Sequence, residues 1–516
     1  MRDTKAPCPP GPPGIPLLGN LFQLDALRPH PTYYKWAAKY GTIFSIKLGL
    51  QRLIVLSSAE VADELLVTRS KLYSSRPDMH VASGLVSDGQ RMVLMSNNRE
   101  FKIARRTVSG ILSPAPSRKW RNMQDFESRV ILQDLLDHAD TSITETFTEG
   151  PNGKVPERHW YSIFRRYTTS VVMLLSYGMR MNRILDNPDL VRLGYKRSLS
   201  TTSREMGLWG KLLKECNEDV TKGAARTGFV PNYLRARAEA GLGDLPGNGA
   251  TDDGGWMRDK FLAYTAASVL EAGSDTSSTA MFIFILFMLN NPNALRRAQE
   301  EMDRVVGLDR MPGWEDEDRL PWLVACIQET LRIRPPIASV PHAVEEDDVY
   351  KGYFIPKGSI VVGNIHGIHM DPARYPDPFA FNPERFYNAD KGLQWNSGPD
   401  SQNRSNYMFG WGRRFCLGKH VAEASIFIVL SRLVWGIDLY VPVDTHTGNP
   451  ILPDALDEMV YWDGAVSPPK IFPVGFKPRS EKHAEVIRRS CEDLQEEWRA
   501  TAALYKSEME SSSKAQ

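Results

Sequence analysis

Cysteine is scarce in this 516-residue chain. The five present, Cys8, Cys216, Cys326, Cys416 and Cys491, are odd in number and widely spread. That excludes a disulfide framework and a paired-cysteine zinc site, and it fits a reducing compartment. An excess of one charge is also missing. Lys and Arg number 63 against 62 Asp and Glu, a formal net charge of +1. Neither a nucleic-acid partner nor strong steering by the whole molecule is expected. No run of about 18 apolar residues, the length of a transmembrane helix, occurs. The richest stretch, 280–289, is too short and lies mid-chain. Residues 1–8 are polar and carry no signal-peptide pattern. Internal repeats are absent.

What is present is an ordinary globular balance, 42% hydrophobic and 24% charged, with ample length for a large core. Residues 9–16 are dense in proline, which removes backbone donors and stiffens the chain. The segment reads as a linker, a ligand for a proline-binding module, or a rigid lead-in to a fold. Alternation at Phe44, Ile46 and Leu48, broken by Gly49 and resumed at 53–56, predicts strands. Helical spacing dominates from about 60 to 302, with a Gly/Asp/Asn-rich loop at 240–255. Residues 339–364 are strand-like again, 372–383 are proline-rich and irregular, and a helix follows Cys416. The tail after Arg479 is charged and helical in pattern. The fold class expected is mainly α with a small segregated β region. The divisions expected are a lead-in at 1–20, one large domain at 21–480 and a charged tail at 481–516.

A lone cysteine is ordinarily a small core hydrophobe. The neighbours of Cys416 argue otherwise: Phe409-Gly410-Trp411-Gly412-Arg413-Arg414-Phe415-Cys416-Leu417-Gly418. The glycines let backbone approach something bulky. Arg414 brings a cation near. The apolar helical stretch 421–430 begins just after, and helix starts stabilise thiolates. A dinucleotide loop is the rival for Gly410 and Gly412, but the third glycine is missing. A thiolate exposed at a helix start suits an axial ligand for a large planar cofactor.

The segment resembles the haem-binding loop of the cytochrome P450 family, Phe-x-x-Gly-x-Arg-x-Cys-x-Gly, at Phe409, Gly412, Arg414, Cys416 and Gly418. The resemblance implies the cytochrome P450 fold and haem b, its iron held by the Cys416 thiolate, which favours cleavage of the oxygen–oxygen bond. Two more segments resemble the family in order. Glu329 and Arg332 lie at i and i+3; alone they read as a surface ion pair. In the family they pair with a later arginine, here Arg385 in Asn382-Pro383-Glu384-Arg385-Phe386, as a structural triad. Ala272-Gly273-Ser274-Asp275-Thr276-Ser277 interrupts a strong helical stretch with mediocre helix formers, which reads as a local kink or a solvated face. It resembles the family's oxygen-activation groove, which implies proton delivery by Thr276 with Asp275.

Haem propionates need cationic or donor partners. The resemblance offers Arg414, Arg105 and His342, the last two otherwise surface or packing residues. Phe101 departs from the family pattern Trp-x-x-x-Arg. The function implied is monooxygenation: one atom of dioxygen enters a lipophilic small molecule by hydroxylation or epoxidation, in fungal secondary metabolism. Lining segments expected at 79–95, 266–274, 337–340 and 465–466 are mainly apolar. Electrons are expected from NADPH through a separate NADPH-cytochrome P450 reductase, docking on a basic surface that includes Arg413 and Lys419. The rival functions are a haem-thiolate isomerase or dehydratase, and a non-catalytic haem-binding protein from a truncated gene. Microsomal members begin with a membrane helix before the proline hinge, which implies the endoplasmic reticulum membrane. This chain has no such segment, and 180–222 is short and polar, so an incomplete chain is expected ahead of a soluble variant.

Overall fold

Residues 6–138, 160–181, 202–224, 226–388, 395, 398, 404–444 and 446–492 are described by the computed structural model. In chain order the longer helices are α1 (His30–Tyr40), α2 (Arg99–Leu112), α3 (Arg121–His138), α4 (Trp160–Tyr177), α5 (Thr202–Thr221), α6 (Phe229–Glu239), α7 (Asp259–Asn290), α8 (Pro292–Val305), α9 (Pro321–Ile333), α10 (Lys419–Gly436) and α11 (Glu481–Cys491). The strands are β1 (Ile43–Leu48), β2 (Gln51–Leu56), β3 (His342–Ala343), β4 (Asp348–Tyr350), β5 (Tyr353–Ile355), β6 (Ile360–Gly363), β7 (Ile437–Tyr440) and β8 (Gly475–Pro478).

The sheet is small and segregated, as the alternation implies. Its order is β1-β2-β6-β3, with β1 and β2 antiparallel, β2 and β6 parallel, and β6 and β3 antiparallel. The proline-rich lead-in does not hang free. Ser45 N–H donates to the Pro10 carbonyl at 2.7 Å and its hydroxyl to Pro9 at 2.7 Å, so the lead-in lies along β1. A Cβ at Gly11 would collide with the Ser45 carbonyl, which is why glycine stands there.

Helix α7 is apolar on nearly every side, the pattern of a helix at the centre of a large core. By length and composition it could cross a membrane, but most of its apolar window is buried inside the protein. It packs against α4, α5, α9 and α10, and α4 packs in turn against α3. Tyr161 of α4 stacks on Phe282 of α7 with centroids 3.8 Å apart. The Ser/Thr cluster of α7 does not break it; the helix is continuous through 272–277. The hydroxyls explain this. Ser268, Thr276 and Ser278 each donate to the carbonyl four residues back, at 2.8, 2.7 and 2.8 Å, and so leave the helical bonds in place. Gly273 serves packing, because a Cβ there would strike Val172 of α4.

The expected triad meets in the core. The Glu329 carboxylate accepts from Arg332 Nε at 2.6 Å and Nη2 at 2.8 Å, from Arg385 Nε at 3.2 Å and from the Asn382 amide at 2.8 Å. Glu329 and Arg332 are fully buried. Breaking a buried pair from one side strands the other charge, at about 3–5 kcal/mol. Glu329→Gln is therefore expected to lower unfolding free energy by about that amount. Denaturant titration checks this, and a loss below about 1 kcal/mol would mean the segment carrying Arg385 is held elsewhere.

Candidate active site

Cys416 sits between a short turn, Gly412–Arg414, and the start of α10. Its amide donates to the Phe409 carbonyl at 2.8 Å, which closes the loop. Phe409 and Phe415 are buried beside it with ring centroids 6.3 Å apart. The loop hangs on a chain of bonds from the triad. Arg332 Nη1 donates to the His369 carbonyl at 2.8 Å, and His369 Nδ1 bonds the Arg332 carbonyl at 2.9 Å. His369 Nε2 then takes the Tyr407 amide at 2.9 Å. Arg404 donates to the Gly410 carbonyl at 2.7 Å and to Asp63 at 2.9 Å. The sequence reading missed His369 and Arg404. Nothing in Ile365-His366-Gly367-Ile368-His369 marks the second histidine, because its partners are backbone groups distant in the chain.

The thiol itself shows two properties that rarely coincide. Cys416 is exposed, yet burial pushes its pKa up, against the Gly418 and Lys419 amides and Arg105, which pull it down. A group both accessible and desolvated faces an internal hollow rather than bulk water. Helix α7 is open at its middle. Ala272 is exposed and Thr276 half-buried in the middle of a helix whose flanks are buried. The Thr276 hydroxyl points back to the Ala272 carbonyl. Asp275 is ion-paired with Arg165 of α4.

Three guanidiniums crowd together. Arg414 donates to the Ser74 and Met95 carbonyls, both at 2.7 Å, and lies 3.5 Å over the Phe101 ring. Arg105 donates to the Phe415 carbonyl at 2.8 Å, and Arg76 to Val93 at 3.0 Å and Pro341 at 2.5 Å. None is ion-paired with a carboxylate among the described residues. Burial first, then Arg76 and Arg105, push Arg414 down to about 9; burial and Arg105 push Arg76 down to about 10. Arg414 Nη1 is buried with no partner. A buried, mutually repelling cation cluster with an orphaned donor fits an anionic edge, and haem has two propionates. The residues present therefore fit haem. Arg76 was not foreseen, and only the fold brings it beside Arg105 and Arg414.

Several expectations change. The cation that bears on Cys416 is Arg105, because Arg414 is turned away to Ser74, Met95 and Phe101. Phe101 takes the place of the expected tryptophan by stacking on that guanidinium. Gly412 (φ +50°) clears the Leu66 carbonyl, since a Cβ there would collide with it. At Gly418 a Cβ would stand 3.9 Å from the Cys416 sulfur, an ordinary contact. His342 is buried and bonds the Tyr73 carbonyl through Nδ1 at 2.7 Å, so Nδ1 carries the hydrogen. Burial, with Arg76 and Arg414, pushes its pKa down to about 3. A neutral ring in this tautomer offers Nε2 as an acceptor. Lys419 is buried and paired with Glu423 at 2.7 Å, so it leaves the basic surface, while Arg413 stays exposed. Of the short polar segment, 182–201 lie outside the described residues, and α5 that follows buries Leu208, Trp209 and Leu212.

The comparisons agree with this geometry. A family model described as cytochrome P450 matches residues 9–444. Cytochrome P450 monooxygenase 79 of Postia placenta is 59% identical over 96% of this chain and 94% of its own length. Cytochrome P450 monooxygenase virE of Hypocrea virens is 33% identical over 97% and 90%. A zebrafish cytochrome P450 solved with abiraterone matches in fold at TM-score 0.69, covering 88% of this chain and 100% of that one at 24% identity. The guanidinium cluster gives a test. Arg105→Gln is expected to raise the rate of haem loss to apomyoglobin about tenfold, the weight of one charge-assisted bond. An unchanged rate would remove Arg105 from the cofactor's hold.

Proposed function

The chain belongs to the cytochrome P450 family, and from that premise we propose which of its residues carry the chemistry and on what kind of substrate. Its relatives are monooxygenases, and the family uses haem with an axial cysteine thiolate, a redox partner, dioxygen and a lipophilic substrate. Bound haem supplies a redox-active iron at which dioxygen is activated. The remaining work falls to the protein.

Cys416 would hold the haem iron in this reading. The observation that carries it is the coincidence of an exposed sulfur with a desolvated thiol at the start of α10. Its thiolate would hold the haem iron in place of the proton that burial favours. Arg105 and Arg414, with Arg76, hold the propionates. Across the site Thr276 positions water: its hydroxyl donates to Ala272 and keeps its lone pairs free to accept. Asp275 passes protons to that water, and Arg165 fixes the carboxylate beside it. The substrate is a lipophilic small molecule of fungal secondary metabolism, hydroxylated or epoxidised. The electron donor is NADPH-cytochrome P450 reductase, docking where Arg413 and Arg118 are exposed. The setting is the endoplasmic reticulum membrane, where the family is often found.

The reduced protein under carbon monoxide tests the ligand. The wild type is expected to show the red-shifted Soret band of thiolate ligation, and Cys416→Ser to lose it. A band that survives the substitution would assign the ligand elsewhere. Thr276→Ala is expected to raise the hydrogen peroxide released per NADPH consumed several-fold, measured with reductase and substrate; unchanged coupling would remove Thr276 from proton delivery.

A further inference from the structure

Helix α4 grips α7 by more than the ion pair to Asp275. Arg165, Thr168 and Val172 stand at i, i+3 and i+7 and share one face of α4. They meet three consecutive residues of α7 in reverse order. Val172 presses on Gly273, where a Cβ would collide with its Cγ1. Thr168 Oγ1 donates to the Ser274 carbonyl at 2.8 Å. Arg165 pairs with the Asp275 carboxylate. Gly273 makes the middle contact possible. With no side chain there, the two backbones come close enough for a hydroxyl of one helix to reach a carbonyl of the other. Thr168 and Ser274 are both buried, so water does not compete for the bond.

The bond is not needed to satisfy either group. The Ser274 carbonyl also accepts from Ser278 Oγ at 2.8 Å and, like any carbonyl inside a helix, from the amide four residues on. The Thr168 hydroxyl has acceptors on its own helix, the Arg165 carbonyl at 3.1 Å and the Phe164 carbonyl at 3.5 Å. Ser278 Oγ has the Asp275 carbonyl at 3.1 Å. Loss of the Thr168 hydroxyl therefore leaves no buried group without a partner. What this bond alone does is fix the Ser274 peptide against α4. Three donors share the two lone pairs of that carbonyl, so none of them is at full strength. Ser274 directly precedes Asp275 and stands two residues before Thr276. The turn that carries the relay is thus held less firmly by its own helix, and α4 steadies it.

We propose that Thr168 is a positioning residue for proton delivery: through the Ser274 carbonyl it fixes the turn of α7 that carries Asp275 and Thr276. This rests on the relay reading of those two residues. Arg165 orients the acid's side chain, and Thr168 holds the backbone from which that side chain grows.

Thr168→Val keeps the shape and removes the bond; Thr168→Ser keeps the bond. Haem content and the reduced carbon monoxide band are recorded first for each protein. Hydrogen exchange of the haem-loaded protein, read on peptides spanning 272–280, tests the hold itself. It is expected to be about fivefold faster in Thr168→Val, the weight of one neutral hydrogen bond, and unchanged in Thr168→Ser. Hydrogen peroxide released per NADPH consumed, with reductase and naphthalene as a lipophilic probe, tests the consequence. It is expected to rise in Thr168→Val, by less than in Thr276→Ala, and to stay at the wild-type value in Thr168→Ser. Thr276→Ala separates the two levels. If it leaves the peroxide yield unchanged, the relay reading fails and takes this inference with it. If it raises the yield, the inference fails alone on any of three results: exchange unchanged in Thr168→Val, faster exchange there without more peroxide, or Thr168→Ser behaving like Thr168→Val. Should Thr168→Val not load haem, Ser278→Ala decides. Removing the competing donor is expected to slow exchange across 272–280, and exchange unchanged or faster would overturn the proposal.

Discussion

One buried carboxylate, Glu329, sets the geometry that the cysteine loop inherits. It is sealed from water and satisfied by two guanidiniums and a backbone amide. A charge in that position cannot drift, because every displacement uncovers a desolvated ion. Arg332 passes the constraint to His369, and His369 passes it to the amide of Tyr407, three residues before Gly410. The loop is thereby positioned from the interior of the protein. Its own sequence supplies the clearances, at Gly412 against Leu66, and the closing bond from Cys416 to Phe409.

How much of this was legible beforehand depended on whether the signal was local. The strands around Gly49, the loop at 240–255 and the helix after Cys416 follow from short patterns, and the structure has them. Glu329, Arg332 and Arg385 were legible through family resemblance and do meet. The weak helix formers at 272–277 do not end the helix, because the hydroxyls bond backward along it and α7 runs on through them. Arg76, His369 and Arg404 could not have been found. Each gets its significance from backbone carbonyls or charges far away in the chain. The same holds for Lys419, whose pairing with Glu423 takes it off the surface.

Two clusters of charged side chains are unevenly balanced. Around Arg76, Arg105 and Arg414, positive charge is in excess and one donor has no acceptor. Around Arg91, two acidic side chains share one guanidinium. The first imbalance costs stability in a buried setting, and proteins keep such a cost where a ligand removes it. Ala272 and Thr276 are the small open surface of an otherwise packed helix.

The bonds of His369 also have a direction. Its Nδ1 donates to a carbonyl and its Nε2 accepts from an amide, so a single neutral tautomer satisfies both. A proton added at Nε2 would set two donors head to head. Burial, first, and Arg332 hold the ring's pKa well below its usual range, so the ring stays neutral through the physiological range. The junction between core and cysteine loop is thus insulated from the proton traffic of the chemistry nearby. The relay proposed at Thr276 and Asp275 would load and unload protons without loosening the loop that carries Cys416.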